Sequence, residues 1–149
     1  METVTSVEVL LQTKGRHVWS VPPDSTVYEA IALMAGKNVG ALLVMEGDRL
    51  AGIVSERDYT RKVALLGKNS RTTPVRDILT AAVHLVTPQT TLQECMALMS
   101  DKRVRHLPVT EHGRVVGIVS IGDLVNWIIR TQKVAIDQLE AYIAGGYPT

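Results

Sequence analysis

From Pro23 onward, apolar residues first recur at the spacing of one helical face, at Val27, Ile31 and Met34. The pattern then changes to β-branched runs, Ala41 to Met45 and Leu50 to Val54, on either side of the turn Glu46, Gly47, Asp48. From Pro88 the same succession returns. Leu92, Met96 and Met99 fall at helical spacing, and Leu107 to Thr110 and Val115 to Val119 flank Glu111, His112, Gly113. Each pair of runs around its turn predicts a hairpin. An amphipathic helix is predicted after each hairpin and a short extended piece before each proline, so each copy reads strand, helix, strand, strand, helix.

The two successions are a duplication. The phrase GIVSERD, beginning at Gly52, returns as GIVSIGD at Gly117, a shift of 65 positions, and that shift aligns residues 23–58 with 88–123 without a gap and with about half of the positions identical. One copy alone leaves an apolar sheet face open, so the expected fold is α+β, two pseudo-twofold-related βαββα repeats packed sheet to sheet. The expected organisation is an N-terminal segment 1–15, repeat 1 at 16–66, a linker 67–79, repeat 2 at 80–131, and a helical extension and tail at 132–149. Gly67, Asn69, Ser70 and Pro74 mark the linker loop, and Val75 to Leu79 reads as a short helix. Beyond Asp123 an apolar stripe through Leu124, Ile128, Ala135, Leu139 and Tyr142 predicts a helix of about twenty residues. Gly145 and Gly146 are expected to stop it. It exceeds what one repeat needs, and a homodimer contact is the expected use of the surplus.

Composition narrows the function more than the fold. The 149 residues match one ordinary domain, and 16 basic against 15 acidic residues leave no field to hold a polyanion such as nucleic acid. No stretch reads as a membrane span or a secretory signal, so a cytoplasmic protein is expected. The single cysteine, Cys95, lies at a helical position and reads as a small buried hydrophobe. The four histidines, His17, His84, His106 and His112, lack metal-ligand spacing, so no metal site is expected.

The chemistry is expected where the GIVS strands end. Gly52 and Gly117 have no side chain, which suits close approach by a ligand or by neighbouring backbone. Ser55 and Ser120 stand where a helix begins, beside amide donors that suit a phosphate. Asp58 and Asp123 suit the vicinal hydroxyls of a ribose, as acidic residues do in dinucleotide folds. A simpler reading stands beside this one: Ser55 with Asp58, and Ser120 with Asp123, fit a helix capping box, as do Thr26 with Glu29 and Thr91 with Glu94.

The run PxxTVxEAxxLM, then NVGALLV or RVRHLPV, then GIVSxxD resembles a tandem pair of cystathionine β-synthase (CBS) domains, a Bateman module, over about residues 16 to 130. The resemblance implies a regulatory module with no catalytic residues and no catalytic cofactor. Its clefts would bind an adenosyl ligand (AMP, ADP, ATP, NAD(H) or S-adenosylmethionine), and it would dimerise. It also implies one cleft of Ser120 and Asp123 with Val18, Trp19, Val39, Gly40 and Ala41, and another of Ser55 and Asp58 with Val83, His84, Val104, Arg105 and His106.

The Asp58 cleft has Arg105 and His106 where the other has Gly40 and Ala41, and Arg57 where the other has Gly122. It is therefore expected to bind a charged nucleotide more tightly. Arg61 and Lys62 follow Asp58 by about one turn and are candidate phosphate contacts or solvated surface. The same holds for Arg71 and Arg76, which face a cleft or solvent. The leading reading is an energy or redox sensor acting on an unidentified partner in trans. The alternatives are a sensor of S-adenosylmethionine and a structural dimerisation module without a ligand. No Ser–His–Asp set, P-loop or nicotinamide fingerprint is present to support an enzyme.

Overall fold

A computed structural model describes residues 5–144. In chain order its elements are α1 (Val7–Lys14), β1 (Ser20–Val21), α2 (Val27–Lys37), β2 (Ala41–Glu46), β3 (Arg49–Ser55) and α3 (Glu56–Tyr59), the last running into a π-helical turn at Thr60–Ala64. After a 3₁₀ turn at Val75–Asp77 come α4 (Leu92–Lys102), β4 (His106–Glu111), β5 (Arg114–Ser120) and α5 (Ile121–Ile143). The duplication is visible in the ladders. Strands β2 and β3 pair antiparallel with Leu43 opposite Ile53, and β4 and β5 pair with Pro108 opposite Ile118. Each hairpin has a register shift at the same place, Val44/Met45 in one and Val109/Thr110 in the other. The short extended piece before Pro23 forms β1, parallel to β2, and its counterpart is a single bridge from Val86 to Val109.

Local signals account for these elements. Thr26 accepts from the Glu29 amide at the start of α2, and Thr91 with Glu94 forms a reciprocal capping box at the start of α4. Both helices end on a left-handed residue, Asn38 and Arg103, and the second hairpin turns through His112 and Gly113, both with positive φ. The buried faces are Val27, Ala30 and Met34 in α2 and Leu92, Cys95 and Met99 in α4. Ile31 and Met96, expected on those faces, pack from their edges. After β3 the expected amphipathic helix is short and changes to a π-turn, whereas after β5 it runs 23 residues. The glycines expected to end α5, Gly145 and Gly146, lie outside the described residues.

Each core contains a segment from outside its own repeat. Leu10 and Leu11 of α1 join the second core with Leu107, Val109 and Val119. The Val7 amide donates to the Thr90 carbonyl, and the Leu92 amide to that of Thr5. Conversely, Val75 and Ile78 of the linker complete the first core beside Leu42, Val44 and Val54. The Val27 amide donates to Thr73, and Ile53 and Thr80 exchange both backbone hydrogen bonds. The N-terminal segment is therefore part of the second half, and the end of the linker part of the first.

These crossing segments are what the strand glycines accommodate. A Cβ on Gly52 would lie 2.4 Å from the Thr80 carbonyl oxygen, and one on Gly117 2.9 Å from Leu11 Cδ2. Of the two uses the sequence allowed, close approach of neighbouring chain is the one found.

Cys95 is fully buried against the second core, and burial pushes its thiol up to about 11. A protonated, enclosed thiol is a poor nucleophile. Ellman's reagent is expected to titrate Cys95 at neutral pH only after denaturant unfolds the protein, and stoichiometric reaction of the native protein within minutes would contradict this placement.

Candidate functional site

The strand end Val54–Ser55 and the first turn of α3 open onto a cavity of about 360 Å³. Repeat 1 contributes Gly40, Ile53, Ser55, Glu56, Arg57 and Asp58. The chain entering repeat 2 contributes Thr80, Ala82, Val83 and His84, and the turn before β4 contributes Arg103, Val104, Arg105 and His106. The fold thus gathers all eight residues assigned to this cleft from sequence: Ser55, Arg57, Asp58, Val83, His84, Val104, Arg105 and His106. Its volume lies in the range of small-molecule pockets.

Asp58 is the most enclosed charged residue of the site, 8% exposed. Its Oδ2 accepts from the Ser55 amide at 2.9 Å and the Ser55 hydroxyl at 3.1 Å, while its own amide donates to Ser55 Oγ. The capping box therefore forms. It also fixes the carboxylate at the cavity wall. Oδ1 lies 3.0 Å from Lys62 Nζ, which donates to the Ile78 carbonyl as well. Lys62 thus serves the carboxylate and the linker in this structure and is not aimed at a phosphate.

Arginines dominate the opposite chemistry. Arg57, Arg103 and Arg105 line the cavity, and none makes an ion pair among the described residues. All three also line an adjoining cavity of about 630 Å³, where Arg61 joins them beside Met96, Met99, Ser100 and Ile121. That second cavity has four guanidinium groups and no carboxylate in its wall. Arg71 packs over the Tyr28 ring, and Arg76 pairs with Asp24, so neither belongs to the site.

Five lining residues escaped the sequence reading: Ile53, Glu56, Thr80, Ala82 and Arg103. Arg103 had a signal, since the duplication places it opposite Asn38, and arginine tolerates the left-handed cap less readily than asparagine. Gly40, assigned to the Asp123 cleft, lies in the Asp58 cavity. A Cβ there would come within 3.4 Å of Glu56 Oε1 and 3.9 Å of the His106 ring, so the two repeats meet at this point. Burial lowers the pKa of His106 below its ordinary value; Asp123 opposes this, and Lys14 and Arg105 reinforce it. The folded chain holds that proton less tightly than the unfolded chain, so acidification below about pH 6.5 takes stability away.

The Asp123 cleft is built differently. Ser120 and Asp123 form the same reciprocal cap, but Asp123 Oδ2 is engaged at 2.6 Å by Lys14 Nζ from the end of α1. Lys14 also donates to the Ile118 carbonyl. Trp19 and Val39 pack against the first core, and Ala41 is buried. The Trp19 ring, a candidate for stacking on a purine, meets His17 edge-on at 4.0 Å with Lys37 Nζ 4.3 Å from its centroid. Val18 is half-buried nearby in the chain, and neither Ser120 nor Asp123 lines the two cavities described above.

The family model for the CBS domain matches twice, over residues 13–65 and 75–130. The chain belongs to the CBS-domain family. A mitochondrial CBS domain-containing protein of Arabidopsis thaliana, CBSX3, is 40% identical over 96% of this chain and 74% of its own length. The CBS domain-containing protein YhcV of Bacillus subtilis is 33% identical over 75% of this chain and 79% of its own. Among solved structures, one from Burkholderia ambifaria, described as a candidate signal-transduction protein with CBS domains, is 50% identical. It superposes with a TM-score of 0.84 over 86% of this chain and 96% of its own. The CBS pair is therefore the fold of this chain, with its repeats completed by exchanged segments. No helix among the described residues is long and apolar enough to cross a membrane.

Proposed function

We propose that the Asp58 cavity of this CBS pair binds an adenine nucleotide and that binding regulates a partner protein in trans. The observation that carries this reading is the composition of one enclosed wall: a buried, positioned carboxylate from repeat 1 and three arginines without ion-pair partners from both repeats. A carboxylate accepting from two vicinal hydroxyls orients a ribose, the carbonyls of Val83 and Val104 can accept from the adenine amino group while their amides stay bound to Ala81 and Met99, and the arginines neutralise phosphates. Displacing Lys62 from Asp58 Oδ1 frees the second oxygen for the sugar. Because repeats 1 and 2 both touch the ligand, occupancy favours one arrangement of the halves, and a partner preferring that arrangement reads it. The Burkholderia relative's description supports a signalling role.

With arginines continuing into the second cavity, affinity is expected to rise from adenosine through AMP to ADP and ATP at the Asp58 cleft. Isothermal titration calorimetry and thermal unfolding with these ligands, NAD, NADH, S-adenosylmethionine and GTP test it. A ligand at a hundred times its Kd adds about 2.7 kcal/mol and raises Tm by roughly 5 to 10 °C. Absence of any adenosyl response would reject the nucleotide reading, and a response indifferent to phosphate would reject the role of the arginines.

A further inference from the structure

We propose that the C-terminal half of α5 is a docking surface for a second copy of this chain, and that the two helices meet antiparallel. Helix α5 is 23 residues long, about 34 Å. Its first turns belong to the second repeat, where Leu124 is buried and Trp127 and Ile128 are half-buried. From Ile129 to Ile143 every residue whose side chain is described is exposed. Yet Val125, Ile129, Ile136, Leu139 and Ile143 lie on one stripe, interrupted at Gln132, with steps of three and four residues. Their exposure rises from 47% at Val125 to 74% at Ile143. An apolar stripe projecting clear of its own core at coiled-coil spacing calls for a partner.

The charges choose the partner and its direction. All four charged residues between Ile129 and Ile143 fall on one flank of the stripe, Arg130 and Lys133 first, Asp137 and Glu140 after them. The opposite flank carries Thr131, Ala135 and Gln138. None of the four charges makes an ion pair among the described residues. A twofold axis relating antiparallel helices sets like flanks beside each other, so the basic half of one copy meets the acidic half of the other. A parallel pair would set the charged flank against the uncharged one and align like charges at equal heights. With the helices crossing near Ile136, Lys133 faces the partner's Glu140, twice by symmetry. The self-complementary order of charge along one helix is what singles out a second copy as the occupant.

Sedimentation equilibrium of the full chain, with Kd measured for the wild type, Lys133→Glu, Glu140→Lys and the double reversal, tests this. Each single reversal is expected to weaken the dimer about tenfold and the double to restore it, because two symmetry-related attractions become repulsions and then attractions again. A zero-length carbodiimide cross-link between Lys133 and Glu140 is expected in the covalent dimer. Ile136→Asp with Leu139→Asp, at exposed positions, should abolish dimerisation without lowering the Tm of the monomer. A wild type that stays monomeric at tens of micromolar, a dimer indifferent to the reversals, or one surviving the double aspartate variant overturns the proposal. Retention of a different protein by the monomer would identify another occupant and overturn it equally.

Discussion

Gly52→Ala is expected to lower the stability of the fold by about 3 kcal/mol or more, whereas Gly117→Ala, at the equivalent place in the repeat, should cost about 1 kcal/mol. The difference comes from what each new methyl group meets. At Gly52 it lies 2.4 Å from the Thr80 carbonyl oxygen, and that backbone is fixed by two hydrogen bonds with Ile53, so relief requires moving the linker off β3. At Gly117 the nearest atoms are the methyl ends of Leu11, which turn aside at modest cost. Urea unfolding followed by far-ultraviolet circular dichroism reads both variants in one experiment. Equal, small losses would mean that the linker does not press on β3 as described.

Asp58→Asn should weaken binding of every adenosyl ligand about a hundredfold, whatever the phosphate count, because two hydrogen bonds from the sugar to a charged acceptor are lost at roughly 1.5 kcal/mol each. Arg105→Gln should act otherwise, leaving adenosine unchanged while reducing ATP binding. Calorimetry on both variants with adenosine, AMP and ATP separates the two roles. The Asp58 variant also weakens the reciprocal half of the capping box and loses the Lys62 ion pair, so its own Tm should fall by a few degrees without ligand. If Tm falls and affinity stands, the carboxylate is a cap and nothing more.

Much of this molecule was legible before any coordinates. The hairpins followed from β-branched runs around Gly47 and Gly113, and the caps from threonine and glutamate three residues apart, because these signals act over a few residues. The duplication marked Ser55 with Asp58 and Ser120 with Asp123, but it was the resemblance to a CBS pair that grouped Ser55 and Asp58 with Val83, His84 and Val104 to His106. What escaped depends on pairs remote in sequence. Lys14 and Asp123 are 109 positions apart, and nothing local to either announces the other. The exchange of segments is equally silent, since the apolar spacing of Leu10 and Leu11 says that they are buried but not by which half. The change from α3 to a π-turn at Thr60–Ala64 has no residue signature in the stretch.

The exchanged segments also set a timetable for the newborn polypeptide. Helix α1 leaves the ribosome first, but the surface that Leu11 presses against, around Gly117, is made about a hundred residues later, a delay of roughly 5 to 20 seconds at ordinary rates of translation. The linker waits for nothing, since its half has already emerged. During synthesis repeat 1 can close while α1 remains without its destination, and only the emergence of β4 and β5 supplies the surface on which it settles.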